Sequence, residues 1–459
     1  MQRHIAIILI LAATTSQFFK AQIPAASAVF NYGVDLLLGI LCPLVIGRII
    51  VRRSWNQIPP KYILLFVGFF VVLVAGIVLN DVQGDTIFAG TRYYLRYFPV
   101  FLLPFAYDYD EQDIRVLTRL FLALMLIQIP IVLWQRFIFG AGVVTGDIVT
   151  GTFASGTGLV VAGIMGILYV FALFLKNRIS ATAAVVLALL FILPTSLAEA
   201  KAAPLLLGGG ILVLLWVSRR SISASKLVGI SFASALGFLV FVGLYAALYA
   251  PEEGVGYFEV MTDSRFDYHN VGTEDVQFDL NRESRGDLIA KTNPEDAIAK
   301  NTRVPGRFDQ IVLPFKILFP DDIVRLALGV GIGNMSATFM SGGKYLELSN
   351  RLMLSGTSIS QLLWETGVLG TTLYITFFLL LYRDFSRYAN RSGETGLSLH
   401  AFAAFCSIII ASIPYTNFMF LFDVMVPVYF LFALAIASQR RASPKSASSW
   451  EGADSPAIA

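Results

Sequence analysis

LVFVGLYAALYAPEEGVG, residues 239–256, marks the point where this chain changes character. Upstream of it the sequence is almost continuous apolar spans, whereas from Pro251 to about Thr357 it is polar. Apolar spans then resume and run to 438. Of the 459 residues, 56% are hydrophobic and only 14% charged, well outside the usage of soluble domains. A hydrocarbon core needs about 20 apolar residues per helix. Runs of that kind lie at roughly 5–19, 29–50, 61–80, 88–107, 115–138, 156–175, 179–197, 202–217, 227–249, 358–382, 398–414 and 417–438. The expected fold class is therefore an all-α polytopic membrane protein with about twelve transmembrane helices. The first, seventh, eighth and eleventh runs are short for a crossing.

Four regions follow: membrane helices over 1–250, a polar loop domain over 251–357, membrane helices over 358–438, and a tail over 439–459. The tail is rich in Ser, Ala and Pro and reads as disordered from Ser443. The loop domain divides again. Residues 252–301 are charged with few large apolar clusters, whereas 311–319 and 326–330 are apolar runs between turn signals at Pro305-Gly306 and Pro320-Asp321. That second half is expected to form short amphipathic helices at the membrane surface. Arg3, His4, the first apolar run and the small residues 25–28 also spell a cleavable secretory signal. The charge pattern of the loops speaks for a retained helix instead.

Alternate loops are basic. One set holds Arg48, Arg52, Arg53 and Lys61, then Arg115 and Arg119, Lys176 and Arg178, Arg219, Arg220 and Lys226, Arg383, Arg387 and Arg391, and finally Arg440, Arg441 and Lys445. The other set offers little beyond Lys20, Arg92 and Lys201. Positive loops stay cytoplasmic, so both termini are expected inside and the 251–357 loop outside, in a bacterial periplasm or its equivalent. Cys42 and Cys406 lie in apolar runs with no metal or disulfide spacing and read as buried thiols.

Charged groups at bilayer depth are expensive and usually face a cavity or a partner. Arg92 and Arg96 are four apart, hence on one helix face. Arg136 closes the fifth span, Glu199 and Lys201 occupy a turn between Pro194 and Pro204, and Glu365 lies about two turns into the tenth span. All map to the side of the polar loop, which adds Arg303, Arg307 and Asp309. Clustered guanidinium and ammonium groups there suit a pyrophosphate anion, which Arg grips by paired hydrogen bonds. The competing role for each is anchoring, since Arg and Lys at helix ends snorkel to the interface. Asp108 and Asp110 spell D-x-D, but in a short cytoplasmic loop, where a solvated helix end is the plainer role. Asp35 and Asp423 lie in or near apolar spans, where buried Arg or polar backbone would be their partners, with no single partner singled out by the sequence. His269 reads as a surface residue. No H-E-x-x-H, Cys cluster or Ser/His/Asp pattern appears.

The motif Leu-Leu-Trp-Glu-Thr-Gly-Val-Leu-Gly, 362–370, resembles the E-x-G-x-x-G signature of the O-antigen ligase/polymerase family. Three further stretches are similar to that family: Gly329-Val-Gly-Ile-Gly333, Asp147-Ile-Val-Thr-Gly151-Thr-Phe before the sixth span, and Glu199-Ala-Lys201-Ala-Ala at the eighth. The resemblance implies a membrane glycosyltransferase of GT-C architecture that joins glycans carried on polyprenyl pyrophosphate outside the inner membrane, without metal or other cofactor. Ligases of the family place a histidine nine or ten residues before the signature Glu. Here that stretch reads Leu354-Ser-Gly-Thr-Ser358, which favours a polymerase for O-antigen, capsule or exopolysaccharide.

The expected site therefore has Arg92, Arg96, Arg136, Glu199, Lys201, Arg303 and Arg307 as binding residues for pyrophosphate and glycan. Glu365 and Asp309 are the candidate proton acceptors, Glu365 being equally readable as a helix-packing hydrogen-bond acceptor. The expected partners are the lipid-linked donor and acceptor, membrane lipids and other polysaccharide export components, with no nucleic acid. Ligase-type transfer, a lipid-linked sugar flippase and a regulatory scaffold are the alternatives.

Overall fold

A computed structural model of the protein describes residues 2–140, 149–198, 202–219, 222–249, 307–318, 322–335, 343–346, 356–389 and 395–442, with residues 200 and 349. Among these the secondary structure is helical throughout. In chain order α1 is Gln2–Gln22, α2 Ser27–Arg52, α3 Pro60–Leu79, α4 Gly84–Tyr94, α5 Tyr97–Ala106 and α6 Glu111–Trp134. Then come α7 Gly156–Leu175, α8 Ala181–Leu197, α9 Ala203–Ser218 and α10 Ala224–Tyr249. In the loop domain α11 is Arg307–Leu318 and α12 Ile323–Leu328, followed by α13 Ser358–Ala389, α14 Thr395–Ser412 and α15 Phe422–Ala442. Among the described residues eight helices are long and apolar enough to cross a membrane, and four shorter apolar ones accompany them: Tyr97–Ala106, Ala181–Leu197, Ala203–Ser218 and Leu399–Ser412. The chain is an all-α polytopic membrane protein.

Helix ends follow local chemistry. Pro60 opens α3 at a position where its missing N–H is no loss. Asp110 and Asp113 form a reciprocal capping box at α6, and Ser155 and Ser180 accept first-turn N–H groups of α7 and α8. The expected span over 88–107 is not one helix. It is α4 and α5, parted at Leu95 and Arg96. The cause is Pro99, whose ring would strike the Leu95 carbonyl four residues back in a continuous helix. Apolarity carried that expectation, and it is blind to backbone sterics.

Among the helices of membrane-crossing length, α15 and α7 are the most buried. In α15 and α7, 94% and 83% of the membrane-length window is buried, against 22–28% for α2, α3 and α10, which therefore face lipid. Aromatic rings fill the interior near α5, α13 and α15, where Phe377 stacks on Tyr429 and Tyr429 on Tyr97 with centroids 5.6 and 5.0 Å apart.

One end of the bundle collects the basic positions. Arg3 pairs with Asp113 at 2.5 Å, Arg52 with Asp108 at 2.8 Å, and Lys61 with Asp384, which also accepts from the Tyr62 hydroxyl at 2.8 Å. Arg441 donates to the carbonyls of Pro104, Tyr107 and Tyr109. The D-x-D residues are thus used structurally, Asp108 in an exposed ion pair of less than about 1 kcal/mol and Asp110 in a cap.

Candidate functional site

At the opposite end, the first turns of α13 carry Ser358, Gln361 and Glu365 at spacings that share one helix face. Gln361 accepts from the Asn417 amide at 3.0 Å. Glu365 is 1% exposed. Its Oε2 accepts from the Tyr94 hydroxyl at 2.7 Å and its Oε1 from the Met335 backbone N–H at 3.1 Å. A buried carboxylate is tolerated only when donors replace its lost water, and these two supply that.

The glycines on either side make this contact possible. Gly367 interrupts α13 with φ 63° and ψ −170°, a conformation essentially reserved for glycine. A Cβ there would collide with the Ala327 carbonyl, and a Cβ on Gly329 (φ 77°) would collide with the backbone of Glu365. The two segments therefore cross backbone to backbone. Val330 N–H donates to the Trp364 carbonyl at 2.7 Å, and the Gly329 carbonyl accepts from Asn80, which caps the C-terminus of α3, at 3.1 Å. Asn80 in turn accepts from Arg325 at 3.1 Å. On the far side, a Cβ on Gly90 of α4 would come within 2.6 Å of Ile332. Gly-Val-Gly-Ile-Gly is accordingly a buried wedge gripped by α3, α4 and α13, with Val330 N–H already committed. It is not an open loop presenting amides to a phosphate. Through it the described part of the loop domain is keyed to the membrane bundle.

Half a turn either side of Tyr94 stand Arg92 and Arg96. Asp35 of α2, left without a partner by the sequence, is theirs: Arg92 Nε lies 2.5 Å from its Oδ2 and the Arg96 guanidinium 3.8 Å from its Oδ1. Arg96 also donates Nε to the Arg92 carbonyl at 2.6 Å. Its guanidinium sits over the rings of Tyr93, Tyr97 and Phe422 at 5.4, 5.7 and 5.4 Å, and that of Arg92 over Tyr32 at 5.2 Å. Two cations share Asp35, and Arg96 also acts electrostatically on the buried Asp423, so the cluster sets two arginines against two carboxylates.

A third feature escaped the sequence reading. Gln128 and Gln135 lie two turns apart in α6 and the π-helical turn Gln135–Phe139 that follows it. Gln135 accepts from the N–H groups of Thr150 and Gly151 at 3.1 and 2.7 Å, and Gln128 from Thr152 N–H at 2.8 Å. Ala154 N–H donates to Asp423 at the start of α15. The Val-Thr-Gly-Thr-Phe stretch is thereby pinned into the bundle. The signal was available: two glutamines seven apart within an apolar run. Gln135→Leu is expected to orphan the buried Gly151 N–H and the part-buried Thr150 N–H and to destabilise by about 2 kcal/mol, read as an earlier thermal transition in detergent.

Of the residues anticipated as a site, Arg92 and Arg96 meet at Asp35, and Glu365 meets Tyr94, the residue midway between the two arginines in the chain. Arg136, 8% exposed, lies in the π-helical turn and donates to the Leu248 carbonyl at the end of α10 at 3.3 Å, a contact separate from the Arg92–Asp35–Arg96 cluster. Glu199, Lys201, Arg303, His269 and Asp147 lie outside the described residues, as do the side chains of Arg307 and Asp309 at the start of α11. Among the described residues no group of three His, Cys, Asp or Glu side chains could hold a metal. Compared with known proteins, the chain matches no protein-family model and no curated protein.

Proposed function

We propose that the protein is a polymerase-type membrane glycosyltransferase. It would join oligosaccharide repeat units carried on polyprenyl pyrophosphate into a surface polysaccharide, at the periplasmic face of a bacterial inner membrane. About twelve crossings in a GT-C arrangement fit this reading, with both termini cytoplasmic. The observation that carries it is the α4–α13 junction. There the E-x-G-x-x-G glutamate bonds to a tyrosine flanked by two arginines, at the bundle end opposite the basic loops.

In the proposed reaction an acceptor sugar hydroxyl attacks the anomeric carbon of the donor. The new C–O bond forms as the bond to pyrophosphate breaks, and the polyprenyl pyrophosphate leaves with the electron pair. Arg92 and Arg96 offset the charge that grows on it, joined in this proposal by Lys201, Arg303 and Arg307. A carboxylate takes the proton of the attacking hydroxyl. Both Glu365 oxygens already accept hydrogen bonds inside the fold, which supports Asp309 for the proton and Glu365 for positioning.

The test is elongation of a lipid-linked repeat unit by purified protein in vesicles without a membrane potential. Longer glycans are expected, and Arg96→Ala should slow their formation about a hundredfold, the usual loss when one charge-stabilising donor is removed. A second reading, a flippase for the same lipid-linked sugar, draws support from the interruption between α4 and α5 with Arg96 in it, since transporters use discontinuous helices. Movement of the lipid-linked sugar across the vesicle with no elongation would select that reading.

A further inference from the structure

We infer that Asp35 is the resident counter-ion of an anion-exchange site, displaced from Arg92 and Arg96 when a phosphate or pyrophosphate headgroup docks between them. The identity of the headgroup rests on the function proposed above, whereas the exchange rests on geometry alone.

The three side chains are unequally held. Arg96 is 6% exposed, boxed by aromatic rings and tethered by Nε to the Arg92 carbonyl. Arg92 and Asp35 are 25% and 21% exposed, so the open side of the cluster is theirs. Asp35 lies 2.5 Å from Arg92 Nε as an ion pair that lacks hydrogen-bond geometry, and 3.8 Å from Arg96. One carboxylate thus serves two cations, as an ion pair with each. A phosphate oxygen set fits the same planar donors as a carboxylate and carries more charge, so it competes for this place. Asp35 rides on α2, which buries Val34, Leu38, Leu41, Val45 and Ile49 in the core while most of its other residues are exposed or partly exposed. Asp423, a buried carboxylate within electrostatic range of Arg96, is held in place by the N–H groups of Ala154 and Val424.

The sign of the effect separates this role from a plain α2–α4 ion pair. If Asp35 competes with the ligand, its neutralisation tightens anion binding. If it only orients the arginines, neutralisation weakens binding. The experiment uses full-length protein in phosphatidylcholine nanodiscs titrated with farnesyl pyrophosphate. Asp35→Asn should bind about tenfold tighter than wild type, the scale of one removed like charge at this range. Asp35→Glu should stay within about twofold, because it keeps the competitor. A pairwise set guards against misfolding: Arg92→Gln alone should weaken binding about tenfold, and adding Asp35→Asn should recover most of that loss. Equal or weaker binding by Asp35→Asn with an unchanged melting temperature, or no recovery in the pair, overturns the exchange. Competition by phosphatidylglycerol as strong as by farnesyl pyrophosphate would support exchange while assigning the site to ordinary anionic lipid. In that outcome the transferase reading fails alone.

Discussion

Gly367→Ala should cost about 4 kcal/mol or more and leave little monodisperse protein after detergent extraction. Two independent penalties add at this residue. The backbone sits at φ 63° and ψ −170°, where a Cβ is strained whatever the space around it. The same Cβ would run into the Ala327 carbonyl and the Gly329 amide, which belong to backbone and cannot swing aside as a side-chain tip would. The matched control is Gly208→Ala in α9, where an added Cβ meets nothing within 4 Å. That change should be neutral or should stabilise by up to about 1 kcal/mol through helix propensity. A Gly367→Ala protein that extracts and melts like wild type would show that the α12–α13 crossing is not as close as described.

Glu365 carries the second large effect, and its two substitutions should part company. Glu365→Ala removes the acceptor for the Tyr94 hydroxyl and the Met335 N–H, both buried, and leaves a void beside them. The expected loss is about 3–5 kcal/mol, with activity falling in step as α4 and its arginines lose their register to α13. Glu365→Gln can keep both contacts: its Oε1 accepts from Met335 and its Nε2 donates to the Tyr94 phenol oxygen. Stability should then fall by no more than about 1.5 kcal/mol, and elongation should persist. A stable Glu365→Gln protein that has lost a hundredfold or more in rate, the range typical of a missing general base, would instead make Glu365 the proton acceptor. The pair of measurements, melting temperature and elongation rate, separates the two roles.

Several features were legible because they obey local rules. Apart from the run over 88–107, which is split in two, the apolar runs became helices at boundaries within several residues of those expected. The run over 5–19 extends to Gln2–Gln22 because Gln2 and Arg3 are tied to the Asp108 carbonyl and to Asp113. Gly329–Gly333 and the Glu365 motif both stood out in the chain, but as separate stretches. Asp35 was visible as an anomalous charge without a visible answer. Its partners lie 57 and 61 residues away, and Tyr94 is 271 residues from Glu365. No periodicity connects such positions, since pairing across helices depends on how whole rods rotate and stack.

What the residues determined by themselves is the solvent of this protein. Twenty-residue apolar runs can satisfy their peptide groups in hydrocarbon only as helices, and alternating basic loops sort the helix ends. What only tertiary structure decided is which polar groups meet between those helices. Glu365 found Tyr94, and two arginines found one aspartate, because a charge withdrawn from water must be answered by whatever packing brings near it.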